Sequence, residues 1–265
     1  MSAPVACVPA RLSVHKPQKT RRDGSSIRPF LLCDERMPEG MKEELSFYGR
    51  VVSLPPHPLL PKPVCAHPDL LCFFDEKGQV LYTYASYFEQ NKALFASLPV
   101  SVVPLSLQAG DYPNDLHFDQ LLCKERIVGR APFIPEALSW GREIVSVKQG
   151  YAKCATLLFG DCAVTADSGI KKALRELGVK VLEIENEGIA LPGYDKGFIG
   201  GASAVIGKRV CFFGNPLSHP QGEDIIKFVE SAGYESLSLC DGVLTDYGGL
   251  IVIDESLEND NALSG

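Results

Sequence analysis

Five short segments of this 265-residue chain hold most of the residues able to do chemistry: CAHPDLL (65–71), DYPNDLHF (111–118), SVKQGYAKCATLL (146–158), LPGYDKGFIGGASA (191–204) and CDGVLTDYGGL (240–250). They mix thiol, imidazole, carboxylate, ammonium and phenol groups with glycine, ahead of apolar runs. Cys154 follows Lys153, and a neighbouring cation draws a thiol below its ordinary pKa of about 8.5, toward the thiolate. His67 and Asp69 are two residues apart, which on a strand sends both side chains to one face. The same alternation sends Lys153 and Cys154 to opposite faces, so that a pocket-facing Lys153 makes Cys154 a packed core thiol. Two further alternatives stay open: His67 beside Pro68 reads as a loop histidine, and Asp246 ahead of Gly248 as a turn residue. Asp115, Lys148, Gln149, Tyr151 and Tyr247 share these segments, and Gly200 and Gly201 allow backbone to approach a ligand closely. GFIGGA does not have the spacing of a dinucleotide fingerprint. Asp167-Ser168, ahead of IKKALRELG, has the chemistry of a helix cap.

Hydrophobic periodicity indicates what must position these groups. AKCATLLFGD, CAVTAD, SGIKKALRELG and KVLEIE read as strand, strand, helix, strand, with Gly160-Asp161 turning the hairpin and Gly178 ending the helix. GASAVIGKR, VCFFGN, GEDIIKFVESAG and ESLSLC repeat that order, as do PDLLCFFDEKG, QVLYTYA, YFEQNKALFASLP and VSVVPLSL. A weaker copy, LHFDQLLCKE, RIVGRA, PEALSWGRE and IVSVKQ, carries Gly141 inside its helix. The fifth copy is split: YGGLIVI at 247–253 supplies its first strand, and RPFLLCD, PEGMKEELSFYG and RVVSLP near the N-terminus supply the rest. Anchors at Asp69, Asp115, Lys153, Gly201 and Tyr247 give intervals of 46, 38, 48 and 46 residues, the mark of a repeat architecture. The expected fold is a five-fold pseudosymmetric α/β propeller over residues 28–255, a ring of strand–strand–helix–strand units closed by pairing of N- and C-terminal segments. First strands surround a central axis, helices lie outside, and the five lead-in segments meet at one mouth in a central polar pocket.

Composition sets outer limits. A chain of this length, 45% hydrophobic, buries roughly three quarters of its unfolded surface and needs no staples. No stretch approaches the roughly 20 apolar residues that span a bilayer, and a soluble cytoplasmic protein is expected. The net charge of −7 opposes nonspecific nucleic-acid binding. Only residues 1–27, with Lys16, Lys19, Arg21 and Arg22, form a basic tail, and 256–265 an acidic polar one. The nine cysteines include no CxxC pair, and Cys33, Cys72, Cys123, Cys162 and Cys211 fall within strands as small buried hydrophobes. With histidines dispersed at 15, 57, 67, 117 and 219, neither a metal nor a cofactor is expected.

The motifs HPDLL, VKQGYAKC, TADSGI, LPGYDKGFIGGAS, FFGN with SHP, and LTDYGG resemble a bacterial branch, a domain of unknown function, of the pentein fold. That fold includes arginine deiminase, agmatine deiminase, dimethylarginine dimethylaminohydrolase and amidinotransferases, and the resemblance covers residues 28–255. In such enzymes a cysteine attacks the guanidinium carbon, a histidine moves protons, and carboxylates hold the cation. The resemblance therefore implies Cys154 as nucleophile, His67 as general acid/base, and Asp69 and Asp246 as cation-binding carboxylates. Lys148, Gln149, Tyr151, Lys153, Asp115, Gly200, Gly201 and Tyr247 would line the site of a small guanidino or amino-acid-like ligand. Cys154 follows His67 by two copies, the family's order. The chain departs from the family at TDYGGLIVI, where catalytic members carry their cysteine and this chain has none after Cys240. Two readings stay open: a guanidine-modifying hydrolase or transferase, displaced around the ring and possible as a homo-oligomer, or a catalytically inactive pentein binding a ligand, a protein or the ribosome.

Overall fold

The computed structural model describes residues 28–254. The basic and acidic tails read from the sequence lie outside the described residues. In chain order the elements are β1 (Phe30–Asp34), α1 (Glu39–Ser46), β2 (Arg50–Leu54), α2 (Pro68–Leu71), β3 (Cys72–Asp75), β4 (Val80–Tyr84), α3 (Ala85–Gln90), α4 (Lys92–Ala96) and β5 (Ser101–Leu105). They continue with β6 (Leu121–Cys123), β7 (Arg126–Gly129), α5 (Glu136–Ser139), β8 (Ile144–Ser146), β9 (Thr156–Phe159), β10 (Cys162–Thr165), α6 (Ser168–Glu176) and β11 (Lys180–Glu183). The last are β12 (Ser203–Ile206), β13 (Arg209–Phe212), α7 (Gly222–Ser231), β14 (Glu235–Ser238) and β15 (Ile251–Ile253). No helix among the described residues is long and apolar enough to cross a membrane.

The strands form five three-stranded sheets, and each has the same plan: an antiparallel pair, then a crossover to a parallel third strand. In one sheet the antiparallel partner comes from the far end of the chain. β15 pairs with β1 in the register Phe30↔Ile253 and Leu32↔Ile251, and β2 lies parallel on β1's other side. Local chemistry explains the units. Gly160, at φ +54°, turns the β9–β10 hairpin in a conformation that costs glycine little. Asp167 caps α6 by accepting from the Ile170 N–H at 2.8 Å, and Ile170, Ala173 and Leu174 form the helix's buried face. Gly178, at φ +75°, ends it, with Val179 N–H returning to the Leu174 carbonyl. α5 is a single turn that stops before Gly141, so that glycine (φ +70°) terminates the helix rather than lying within it.

Apolar faces pack sheet against sheet. Phe30 and Leu32 of β1 share a core with Leu71, Phe73 and Tyr84, whereas Leu31 and Cys33, on the opposite face, join Cys211 and Phe213. Leu157 and Phe159 meet Val210 and Phe212, and Leu121 and Val128 meet Ala163 and Leu174. Cys33, Cys72, Cys123, Cys162 and Cys211 are free, buried strand residues. The first strands of all five sheets line one cavity of about 260 Å³, each contributing a partly buried apolar side chain: Phe74, Leu122, Leu158, Val205 and Val252.

Candidate active site

Four of the five lead-in segments, with Asp119 just after the remaining one, contribute to a second pocket, of about 310 Å³. HPDLL does not begin a strand. Pro68, whose fixed φ suits the first helical position, starts the single turn α2, and the Leu70 and Leu71 N–H groups return to the His67 carbonyl. That turn directs both His67 and Asp69 into the pocket. Asp119 arrives on the segment before β6, and Tyr151 and Cys154 on the turn before β9. The loop before β12 supplies Leu191, Tyr194 and Phe198, and the segment before β15 supplies Asp246. Because residues 152–155 form a turn, strand parity does not govern Lys153 and Cys154, and Cys154 faces the pocket.

The pocket floor is a thiol among carboxylates. Cys154 Sγ lies 3.3 Å from Asp246 Oδ2 and 3.6 Å from Oδ1. Asp246 is fixed by the N–H groups of Phe198 (2.8 Å) and Gly248 (2.9 Å). Asp119 Oδ1 accepts from the backbone N–H of Lys153 (2.7 Å) and of Cys154 (2.9 Å). Asp119 Oδ2 and both oxygens of Asp69 are buried without a hydrogen-bond partner among the described residues. The Cys154 thiol is near enough to Asp69 to favour its charge, yet does not complete a hydrogen bond to it. Burial outweighs every other influence on these acids. It pushes Asp69 up to about 7 against the opposing pull of Lys153, and Asp246 up to about 6 against its two N–H donors. Asp119 is raised well above the carboxylate range by burial and by Asp69. Cys154 is likewise raised well above its ordinary value, by burial and then by Asp246, Asp69 and Asp119, so in the free protein it is a thiol.

His67 sits between two acids, Nδ1 at 3.8 Å from Asp246 Oδ1 and Nε2 at 3.9 Å from Asp34 Oδ2. Asp34 is neutralised by Arg36, which donates from its backbone N and Nε to Oδ1 (2.7 and 2.9 Å) and from Nη2 to Oδ2. Burial, with Arg36 nearby, lowers His67 to about 3, and its imidazole is neutral. Glycines allow this crowding. A Cβ on Gly201 would fall 2.0 Å from Asp246 Oδ1 and 2.6 Å from Cys154 Sγ, and one on Gly248 (φ +70°) 2.4 Å from His67 Cβ.

The fold thus brings His67, Asp69, Tyr151, Cys154 and Asp246 into one pocket. Asp115 stands just behind, accepting from the Tyr151 hydroxyl at 2.8 Å, and Gly201 backs the floor. Other expected ligand residues lie elsewhere. Lys153 and Gly200 line the cavity of about 260 Å³ instead, Lys153 because the turn before β9 sends neighbouring side chains to different sides. Gln149 borders a separate cavity of about 50 Å³, where its Oε1 accepts from the Tyr151 N–H. Lys148 is exposed and lines none of these cavities. Tyr247 packs toward Phe213, ring centroids 6.3 Å apart, and its backbone N–H donates to the Gly201 carbonyl at 3.0 Å. Sequence reasoning missed Asp34, Arg36, Asp119, Tyr194 and Phe198. Two residues before the first strands of the five sheets stand Leu70, Asp119, Cys154, Gly201 and Gly249, so Asp119 occupies the position of Cys154 one sheet earlier in the chain.

The groups present can hold a cation. Asp69, Asp119 and Cys154, and separately His67, Cys154 and Asp246, each place three donor atoms within 4.8 Å of one another, close enough to chelate a metal ion as well as to surround an organic cation.

No curated protein sequence matches the chain. Among solved structures it is similar to dimethylarginine dimethylaminohydrolase from Pseudomonas aeruginosa, a cysteine-to-serine mutant complexed with citrulline, at 12% identity, 81% coverage of this chain and 92% of that one, and TM-score 0.53. It is also similar to the N-terminal domain of ArgZ, an arginine dihydrolase from the ornithine-ammonia cycle in cyanobacteria, in a substrate-bound mutant, at 13% identity, 86% and 98% coverage, and TM-score 0.52. At such identities the likeness establishes the shared mixed α/β pentein fold and no activity. Residues 32–251, well over half the chain, match the model described as "Family of unknown function (DUF6873)", and the chain belongs to that family.

Proposed function

We propose that this chain is a five-fold α/β propeller, a single domain over residues 28–255, that modifies small guanidino compounds through Cys154. The ring reading is supported by five sheets of one plan, the β15–β1 pairing and the cavity shared by all five first strands. The observation that carries the chemistry is the set of unpartnered buried carboxylate oxygens, two on Asp69 and one on Asp119, beside the Cys154 thiol. A buried acid without a donor suits a ligand that brings N–H groups and positive charge, and a planar guanidinium brings both.

Guanidinium bound to Asp69 and Asp119 places positive charge next to Cys154 and lowers its pKa. The thiol proton passes to the Asp246 carboxylate 3.3 Å away, with neutral His67 beside it relaying that proton onward, and the thiolate attacks the guanidinium carbon. His67 protonates the departing nitrogen as the C–N bond breaks, leaving an S-linked amidinium on Cys154. Water then attacks that carbon and gives its proton to His67, the C–S bond breaks, and a urea-type product departs. An amine in place of water makes the step an amidino transfer. The raised pKa of Cys154 favours a second reading, in which the same pocket binds the ligand without covalent chemistry.

Incubation with 2-chloroacetamidine, followed by peptide mass spectrometry, separates these readings. The expected result is selective alkylation of Cys154, blocked by excess guanidinium, absent in Cys154→Ser and strongly slowed in His67→Ala. A protein that guanidinium stabilises, yet whose Cys154 stays unmodified, is a binding protein, and the thiol mechanism falls.

A further inference from the structure

We infer that the pocket selects guanidinium ligands with an uncharged apolar arm over guanidino amino acids, an inference that rests on the guanidinium reading above. The acids that would hold the cation lie at the floor: Asp69, Asp119 and Asp246 are each buried to 1% exposure or less. Between floor and solvent the walls are Val64, Leu70, Leu191, Phe198 and the ring of Tyr151, with Tyr194, 49% exposed, at the rim. Tyr151 and Phe198 stand with ring centroids 6.2 Å apart, and the Tyr151 hydroxyl is turned away, donating to buried Asp115. An arm leaving the floor therefore meets apolar and aromatic surface, worth roughly fourfold in affinity for each methylene fully buried.

A carboxylate at the end of that arm meets the wrong electrostatics. Among the described residues lining the pocket, four are aspartates and Lys196 is the one permanent cation. Lys196 is exposed, and Asp195 beside it is exposed as well. The pocket wall offers no arginine, so a bidentate clamp for a carboxylate is missing from it. Desolvating a carboxylate there, without a fixed partner and near Asp195 and the floor acids, opposes binding. The walls reward hydrocarbon and the charges penalise a second, negative end.

Isothermal titration of the full-length protein at pH 8 with n-butylguanidine, L-arginine and guanidinium chloride tests this. The expected result is butylguanidine binding at least tenfold tighter than arginine. Tyr194→Ala should weaken butylguanidine severalfold and leave guanidinium unchanged, because the rim ring touches only the arm. Arginine binding as tightly as butylguanidine, with that affinity lost in Lys196→Ala, overturns the inference and makes the exposed lysine the carboxylate's partner. Equal arginine binding that survives Lys196→Ala overturns it too, while the guanidinium reading stands. Failure of all three ligands to bind sinks the guanidinium reading itself.

Discussion

Asp69 is held against its own charge: it is fully buried, both oxygens lack a hydrogen-bond partner among the described residues, and its pKa is pushed up to about 7. A carboxylate whose folded pKa is raised favours folding only while protonated. Below its ordinary value of 3.8 it costs nothing extra; as pH climbs from there to about 7 the unfolded chain sheds the proton that the native state keeps, so stability falls across that window and levels off above it. Asp69→Asn removes that cost. The substitution should leave stability near wild type at pH 4, where both side chains are neutral, and raise it by about 1–3 kcal/mol at pH 8 while weakening guanidinium binding. Urea denaturation at the two pH values measures this, and destabilisation at both would show that Asp69 has a structural partner after all. The same residue shows what a sequence can and cannot reveal. His67 and Asp69 are legible as a pair because they stand two residues apart and are chemically unusual. Asp34 was not, since at the end of an apolar strand it resembles any strand-terminal acid, and only the fold sets it 3.9 Å from His67.

At the scale of elements, the site is made by lead-ins rather than by regular structure. The strands and long helices were readable from apolar alternation, turn glycines and the Asp167 cap. The lead-ins were not, because proline and short polar runs fix turns whose side-chain directions follow no period. Hence α2 replaced an expected strand start, and Lys153 and Cys154 parted company in a turn. Glycine substitutions separate crowding at a lead-in from strain at a hairpin. Gly201→Ala places a methyl group where Asp246 Oδ1, held by the Gly248 N–H, and Cys154 Sγ already sit. It should cost about 1–3 kcal/mol and abolish chloroacetamidine labelling of Cys154. Gly207→Ala, in the β12–β13 turn, meets nothing within 4 Å and suffers only from φ +60°. Its cost should be about 1 kcal/mol, with labelling intact. Equal labelling by the two variants would mean that the floor has slack the geometry does not suggest.

For the whole molecule, the split fifth unit matters most, because it turns a row of repeats into a proposed ring. Its strands are at opposite ends of the sequence, and the pairing Phe30↔Ile253 brings residues 28 and 254 to neighbouring strand ends. The split was legible because YGGLIVI lacked a partner and RPFLLCD lacked a hairpin mate, so each completed the other. A ring has no privileged starting point, which makes circular permutation its sharpest test. Residue 254 joined to residue 28 by a short Gly/Ser linker, with the chain opened between Trp140 and Gly141, gives termini in an exposed segment: Trp140 is 78% exposed, and a Cβ on Gly141 would touch nothing. That cut leaves every lead-in to the pocket intact. The permutant should unfold cooperatively with a Tm within about 4 °C of the parent, equivalent to roughly 1 kcal/mol for a chain of this size, and Cys154 should label at the parental rate. A linear chain ending at Asp246 should behave oppositely, because it strips β15 from β1 and removes Ile251 and Ile253 from the core they share with Phe30 and Leu32. If the truncated chain kept the parental transition while the permutant lost it, continuity of the chain rather than closure would be what holds the five sheets together.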